Sequence, residues 1–150
     1  MSVIKHKIIE EIALIEISNP PVNAISAAVR VGLLETIENL SLNEKIKAIV
    51  ITAPERTFLA GADIKEFGKK VDAPILGKIC DKIESLNKIV VASLHGTPLG
   101  GGLEVAMSAH YRIAASNTKV GLPEVLLGIL PGAGGCLLYT SDAADERHCV

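Results

Sequence analysis

The chain has 150 residues, the length of one domain and enough to bury roughly 70% of its unfolded surface. Hydrophobic residues make up 49% and charged residues 21%, which excludes a disordered chain. The formal net charge of −2 and only 3% aromatics argue against a nucleic-acid groove with stacking platforms. Mean hydropathy is high at +0.39, yet charged residues or His interrupt every apolar run short of the ~18 residues of a membrane span.

From the start, Met1-Ser2-Val3-Ile4-Lys5-His6 lacks the basic stretch and apolar core of a signal peptide. Val3 to Ile17 reads as two strands broken near Glu10-Glu11, with Ala13, Ile15 and Ile17 on one face. Asn19-Pro20-Pro21-Val22-Asn23 cannot continue a sheet and marks a turn. Ser26 then caps a helix to about Leu42, with a stripe of Val29, Leu33, Ile37 and Leu40. Lys47 to Thr52 is β-branched and almost wholly apolar, as in a strand buried on both faces of a parallel sheet. Beyond a Pro- and Gly-punctuated loop, Asp72-Ala73-Pro74 opens a second helix with Ile75, Ile79, Ile83 and Leu86 in register. Lys88 to Ser93 repeats the buried-strand pattern. A glycine-rich turn leads to a helix over Leu103 to His110 and a last strand near Tyr111 to Ala114. Strands and helices alternating over short connections predict an α/β fold with right-handed crossovers.

The pattern stops at Gly135. Cys136-Leu137-Leu138-Tyr139-Thr140-Ser141-Asp142-Ala143-Ala144-Asp145-Glu146 has no matching periodicity and resembles a translated sequencing-library adapter. The expected organisation is therefore a core over 1–135 and a non-native tail over 136–150, with the natural C-terminal part missing. Of the 3 cysteines, Cys136 and Cys149 fall in that tail, leaving Cys80 alone in the body. With no C-x-x-C pair and no H-E-x-x-H, neither a disulfide framework nor a metal site is expected, and the compartment should be reducing.

Four segments could carry chemistry: Phe58 to Lys65, His95 to Glu104, Gly121-Leu122-Pro123-Glu124, and Gly128 to Gly135. Gly100-Gly101-Gly102 and Gly132-Ala133-Gly134-Gly135 both fail G-x-G-x-x-G, because Val105 and Leu137 stand where the third glycine belongs. No G-x-x-x-x-G-K-[ST] and no G-x-S-x-G is present either. A nucleotide-phosphate cradle and a serine nucleophile are thus disfavoured. The triplet does sit where a buried strand turns into a helix, so its free amides face outward at the positive end of a helix dipole. Such amides stabilise charge developing on a carbonyl oxygen. A glycine turn required only for tight packing explains the same residues.

Taken together, Ala60-Gly61-Ala62-Asp63-Ile64-Lys65, Gly100-Gly101-Gly102-Leu103-Glu104 and Leu122 to Gly135 resemble the crotonase (enoyl-CoA hydratase/isomerase) family, in order and spacing, over about residues 3 to 135. The resemblance implies a β-β-α spiral, here ending before the family's C-terminal helices. It implies that the Ala62 and Gly101 amides grip the thioester oxygen of an acyl-CoA, with Ala60, Ala62 and Ile64 lining the CoA. It also implies that Glu124 delivers a proton to C2 and that Glu104 activates or orients the water. Gly132 would help hold that water through its amide.

The leading expectation is hydration of trans-2-enoyl-CoA to 3-hydroxyacyl-CoA, with acyl-CoA as substrate and no cofactor. Retention of both acids favours this over a pure isomerase. Asn19 to Ala24 and Leu126 to Pro131 resemble the hydratase half of multifunctional β-oxidation enzymes. In that case a lost dehydrogenase part would use NAD. An inactive fragment, with apolar faces uncovered, is the non-enzymatic alternative. The full-length protein is expected to be a trimer-type oligomer or multidomain, in the cytoplasm or alternatively in a peroxisomal or mitochondrial matrix. Plainer roles are expected elsewhere: Asp63 as a helix cap, His95 and His110 as hydrogen-bonded structural residues, and Lys45, Lys47, Lys69 and Lys70 as a solvated face.

Overall fold

The structure is a computed structural model that describes residues 2–135; the tail expected over 136–150 lies outside the described residues. Five strands form one sheet in the order β1-β2-β3-β4-β5. β1 (Ile4–Ile9) and β2 (Ile12–Ile17) make an antiparallel hairpin over Glu10-Glu11, where Glu10 takes a left-handed φ of 55°. β3 (Ala48–Thr52), β4 (Ile89–Leu94) and β5 (Tyr111–Ala114) follow in parallel with β2. The connections carry α1 (Ala27–Leu42), α2 (Leu76–Glu84) and α3 (Gly101–Ser108), with a 3-10 turn at Ile64–Glu66, and a second 3-10 turn at Pro123–Leu127 follows β5.

Period-two alternation places Ala13, Ile15 and Ile17 of β2, Ile49 and Ile51 of β3, and Val90 and Ala92 of β4 on one buried face. Val29, Leu33, Ile37 and Leu40 of α1 belong to the same core, as their 3.6-residue spacing predicts. The Ser26 hydroxyl accepts from Val29 N–H and caps α1. Asn23, fully buried with a φ of 57°, closes the preceding turn. Its side-chain amide donates to the carbonyls of Ile17, Thr57 and Phe58, and its Oδ1 accepts from Asn19 N–H. One side chain thereby joins the end of β2 to the loop that follows β3.

Three expectations need correction. β3 and β4 are not buried on both faces; Val50 and Val91 on the other face remain half-buried. α2 begins at Leu76, not at Asp72-Ala73-Pro74, and Ile75 is 76% exposed and not part of the buried stripe. The reason is a long-range contact: the Arg30 side chain donates Nε–H to the Pro74 carbonyl at 2.9 Å. That carbonyl is therefore taken by a side chain rather than by a helical N–H four residues on. α3 begins at Gly101, two residues before the expected start, so the glycine triplet forms the helix entry itself.

Candidate active site

The loops after β3 and β4 leave the carboxyl ends of parallel strands, where α/β sheets commonly bind ligands. They meet edge to edge. Leu99 N–H donates to Leu59 O at 3.3 Å, and a Cβ on Gly102 would collide with that same Leu59 carbonyl. Gly100 has a φ of 49°, and its missing side chain leaves room for Glu124, whose Oε1 would lie 2.5 Å from a Cβ there. Two of the three glycines are thus required by close approach. Gly101 faces Ile25 and Leu76 side chains and the Glu104 carboxyl, at the edge of open space.

That space is a cavity of about 540 Å³, within the range of small-molecule sites. Ala60, Ala62, Ile64, Gly101, Glu104, Glu124 and Gly132, all singled out in the sequence, line it together. Two backbone amides of its lining residues are unpaired. Ile25 N–H donates to Gly61 O, and Asp63 N–H donates to Ile25 O at 3.4 Å, a parallel bridge that turns the Ala62 N–H the other way. Gly101 opens α3, so its N–H has no intrahelical acceptor. Among the described residues neither amide finds a partner.

The two carboxyl groups are 2% and 9% exposed for Glu104 and Glu124, and they are held differently. Glu104, in the first turn of α3, accepts at Oε1 from Ala133 N–H (2.7 Å) and Gly135 N–H (2.9 Å). Its Oε2 lies on the Gly101 side, 3.8 Å from a Cβ built there. Glu124 enters from the 3-10 turn Pro123–Leu127. Its Oε2 is buried with no hydrogen-bond partner among the described residues. Buried polar atoms are almost always paired, so an orphan oxygen in a cavity points to a group that arrives with the ligand.

The residues given plainer roles behave accordingly. Asp63 Oδ1 accepts from Lys65 N–H, His95 Nε2 meets Glu55 O at 2.7 Å, and His110 Nδ1 accepts from Val90 N–H. Burial pushes the Cys80 thiol up to about 12. The Glu104 charge adds to that rise and a hydrogen bond with Ser108 opposes it. Nothing in the sequence marked the Ala133 and Gly135 amides on Glu104, because an amide donor has no letter of its own. Nor did it single out Arg30 and Glu66, which also line the cavity. A basic residue one turn into α1 and an acid three residues after Asp63 were the available signal.

Comparison with known proteins places these features in a family context. The sequence description of enoyl-CoA hydratase/isomerase matches residues 7–146. The peroxisomal bifunctional enzyme of Danio rerio is 48% identical over 124 residues, which is 83% of this chain and 17% of that protein. A probable enoyl-CoA hydratase of Bacillus subtilis is 39% identical over 142 residues, covering 90% of this chain and 55% of that one. Among solved structures, an enoyl-CoA hydratase subunit from Geobacillus kaustophilus superposes with a TM-score of 0.83 at 34% identity, over 92% of this chain and 56% of the other. The chain thus spans about half the length of the hydratases and under a fifth of the bifunctional enzyme.

Proposed function

This chain belongs to the enoyl-CoA hydratase/isomerase family, and we propose that its site adds water across the C2=C3 bond of a trans-2-enoyl-CoA. The observation that carries the proposal is the meeting of two buried carboxyl groups and two unpaired amides in one cavity. In this reading the thioester oxygen accepts from the Ala62 and Gly101 amides. Charge that moves onto that oxygen when water attacks C3 is stabilised there without reorganisation.

Glu104 presents Oε2 to the water, because Oε1 is already occupied by two amides. Glu124 offers the unpartnered oxygen as the proton carrier to C2. The water oxygen bonds to C3, one water proton passes to a carboxylate, and a carboxyl proton bonds to C2 with the electron pair of the former double bond. The product is the 3-hydroxyacyl-CoA; Glu104 ends protonated and Glu124 ionised, so the pair keeps its single proton, which returns from Glu104 to Glu124 through solvent before the next turnover. Ala60 and Ile64 line the CoA path, and Gly132 stands beside the water.

Loss of the conjugated enoyl absorbance of crotonyl-CoA, followed with the longest natural protein carrying this sequence, tests the reading. Glu124→Gln should abolish most turnover while leaving the fold intact. Wild-type hydration by Glu104→Gln would make the two-acid assignment wrong.

A second reading is favoured by the higher identity to the bifunctional enzyme than to the hydratase, 48% against 39%. In it the site is the hydratase part of a multidomain β-oxidation protein, with NAD bound by a dehydrogenase part elsewhere in the parent. The peroxisomal and glyoxysomal names of such relatives favour an organelle matrix over the cytoplasm for that parent. We read residues 136–150 as non-native. A native reading frame running uninterrupted through Glu146 in the resequenced gene would overturn that.

A further inference from the structure

We propose that Arg30 and Glu66 form a clamp that holds the Ala62 amide and one cavity wall in place, making both of them positioning residues for the hydration proposed above, on which this inference rests. The Arg30 guanidinium reaches three acceptors on three segments. Nη1 donates to Ile25 O at 3.2 Å and to Glu66 Oε2 at 2.9 Å, and Nε donates to Pro74 O at 2.9 Å. Glu66 Oε1 in turn accepts from Ala27 N–H at 2.7 Å, at the positive end of α1. The Arg30 and Glu66 side chains are only 15% and 22% exposed, so water competes weakly for either charge.

Each attachment bears on the cavity. Ile25 O is the carbonyl that also accepts from Asp63 N–H, the peptide next to the Ala62 amide. Glu66 ends the 3-10 turn that begins just after Asp63. Pro74 precedes Ile75 and Leu76, which line the cavity, and Leu76 packs against Gly101. Between Glu66 and Pro74 the backbone bonds are local, Lys69 N–H to Glu66 O and Ala73 N–H to Val71 O; a Cβ at Gly68 would meet nothing within 4 Å, and Lys69 and Lys70 are exposed. A planar guanidinium carries donors on separate nitrogens in fixed directions and so spans all three acceptors, whereas the three donors of an ammonium share one rotating atom. The Arg30 side chain is therefore the bolt that fastens the 62–76 segment to α1.

The test compares Arg30→Ala, Arg30→Lys and Glu66→Gln in the longest natural protein carrying this sequence, with crotonyl-CoA as substrate and trypsin as a probe of Lys69 and Lys70. Misplaced groups commonly cost one to two orders of magnitude in rate. Arg30→Ala should lower kcat by about tenfold or more, speed cleavage at Lys69 and Lys70, and recover part of its rate in guanidinium ion below denaturing concentration. Arg30→Lys should fall between Arg30→Ala and wild type. If Arg30→Ala fails to fold, Glu66→Gln, which keeps an acceptor for Ala27, supplies the same comparison. Wild-type kcat and KM with unchanged cleavage in Arg30→Ala and Glu66→Gln would overturn the clamp. Loss of folding without a change in kcat per folded molecule would overturn it equally. A wild-type protein that hydrates nothing, while the Arg30 variants still open to trypsin, would sink the functional reading and leave the clamp standing.

Discussion

On the inner face of the sheet, Ile15, Ile17, Ile49 and Ile51 pack against Val29, Leu33 and Ile37 with essentially no exposed surface, and several side chains share each contact. Around the cavity, the loops after β3 and β4 and the segment after β5 meet instead through carbonyls, amides and missing side chains: Leu59 O against Gly102, Glu124 against Gly100, and Ala133 and Gly135 N–H on Glu104. The first region is specified redundantly by apolar side chains. The second is specified by single backbone groups that have no substitute. Damage to the sheet should therefore cost stability and leave the chemistry of each folded molecule intact, while damage to the loops should cost chemistry first.

The sharpest contrast comes from Glu124→Gln, which should lower hydration by roughly a hundred- to ten-thousand-fold with little change in melting temperature. Steady-state kinetics beside thermal denaturation measures both. Ile51→Ala truncates a fully buried side chain of β3 and should destabilise the fold by roughly 2–5 kcal/mol, read from denaturant unfolding. Its kcat per folded molecule should stay near wild type, and a large fall would blur the distinction between the regions. Gly102→Ala lies on the boundary, since its Cβ must displace Leu59 O and with it the start of the Ala60 to Ala62 loop. It should cost roughly 1–3 kcal/mol and also reduce turnover.

Cys80 has no effect on the pH dependence of stability near neutral pH and acts only at alkaline pH, with a defined sign. Its thiol is held neutral in the fold up to about 12, against an ordinary value of 9.0. The stabilisation this provides is complete below pH 9 and is lost as pH rises towards 12, at no more than ~1.4 kcal/mol per pH unit. Cys80→Ala should flatten the alkaline limb of the stability curve. In the native protein at pH 8, a thiol reagent should react with Cys80 only at the rate of unfolding.

These contrasts track what could be read from the sequence. β1, β2, α1, β4 and β5 were legible because alternation and helical spacing are written in apolar letters, and Ser26 announced its cap. α2 was misplaced because Pro74 suits a first helical position, and nothing in the local sequence shows that Arg30, 44 residues away, takes its carbonyl. The seven site residues were found through the family resemblance, while spacing alone left the glycine triplet open between an amide hole and a packing turn. Gly100 and Gly102 answer to packing, and Gly101 lines the cavity. The asymmetry between the acids was not legible, since it depends on which backbone amides reach which oxygen.

The most direct measurement is a crystal structure of the natural protein carrying this sequence, with a bound, non-hydratable enoyl-CoA thioether or thioester analogue that retains a carbonyl oxygen. The account predicts that oxygen at about 2.7–3.1 Å from both the Ala62 and Gly101 nitrogens, with the Glu104 and Glu124 carboxyls on the same side of the C2–C3 bond. A carbonyl bound away from either amide, or a C2–C3 bond out of reach of both carboxyls, would contradict it.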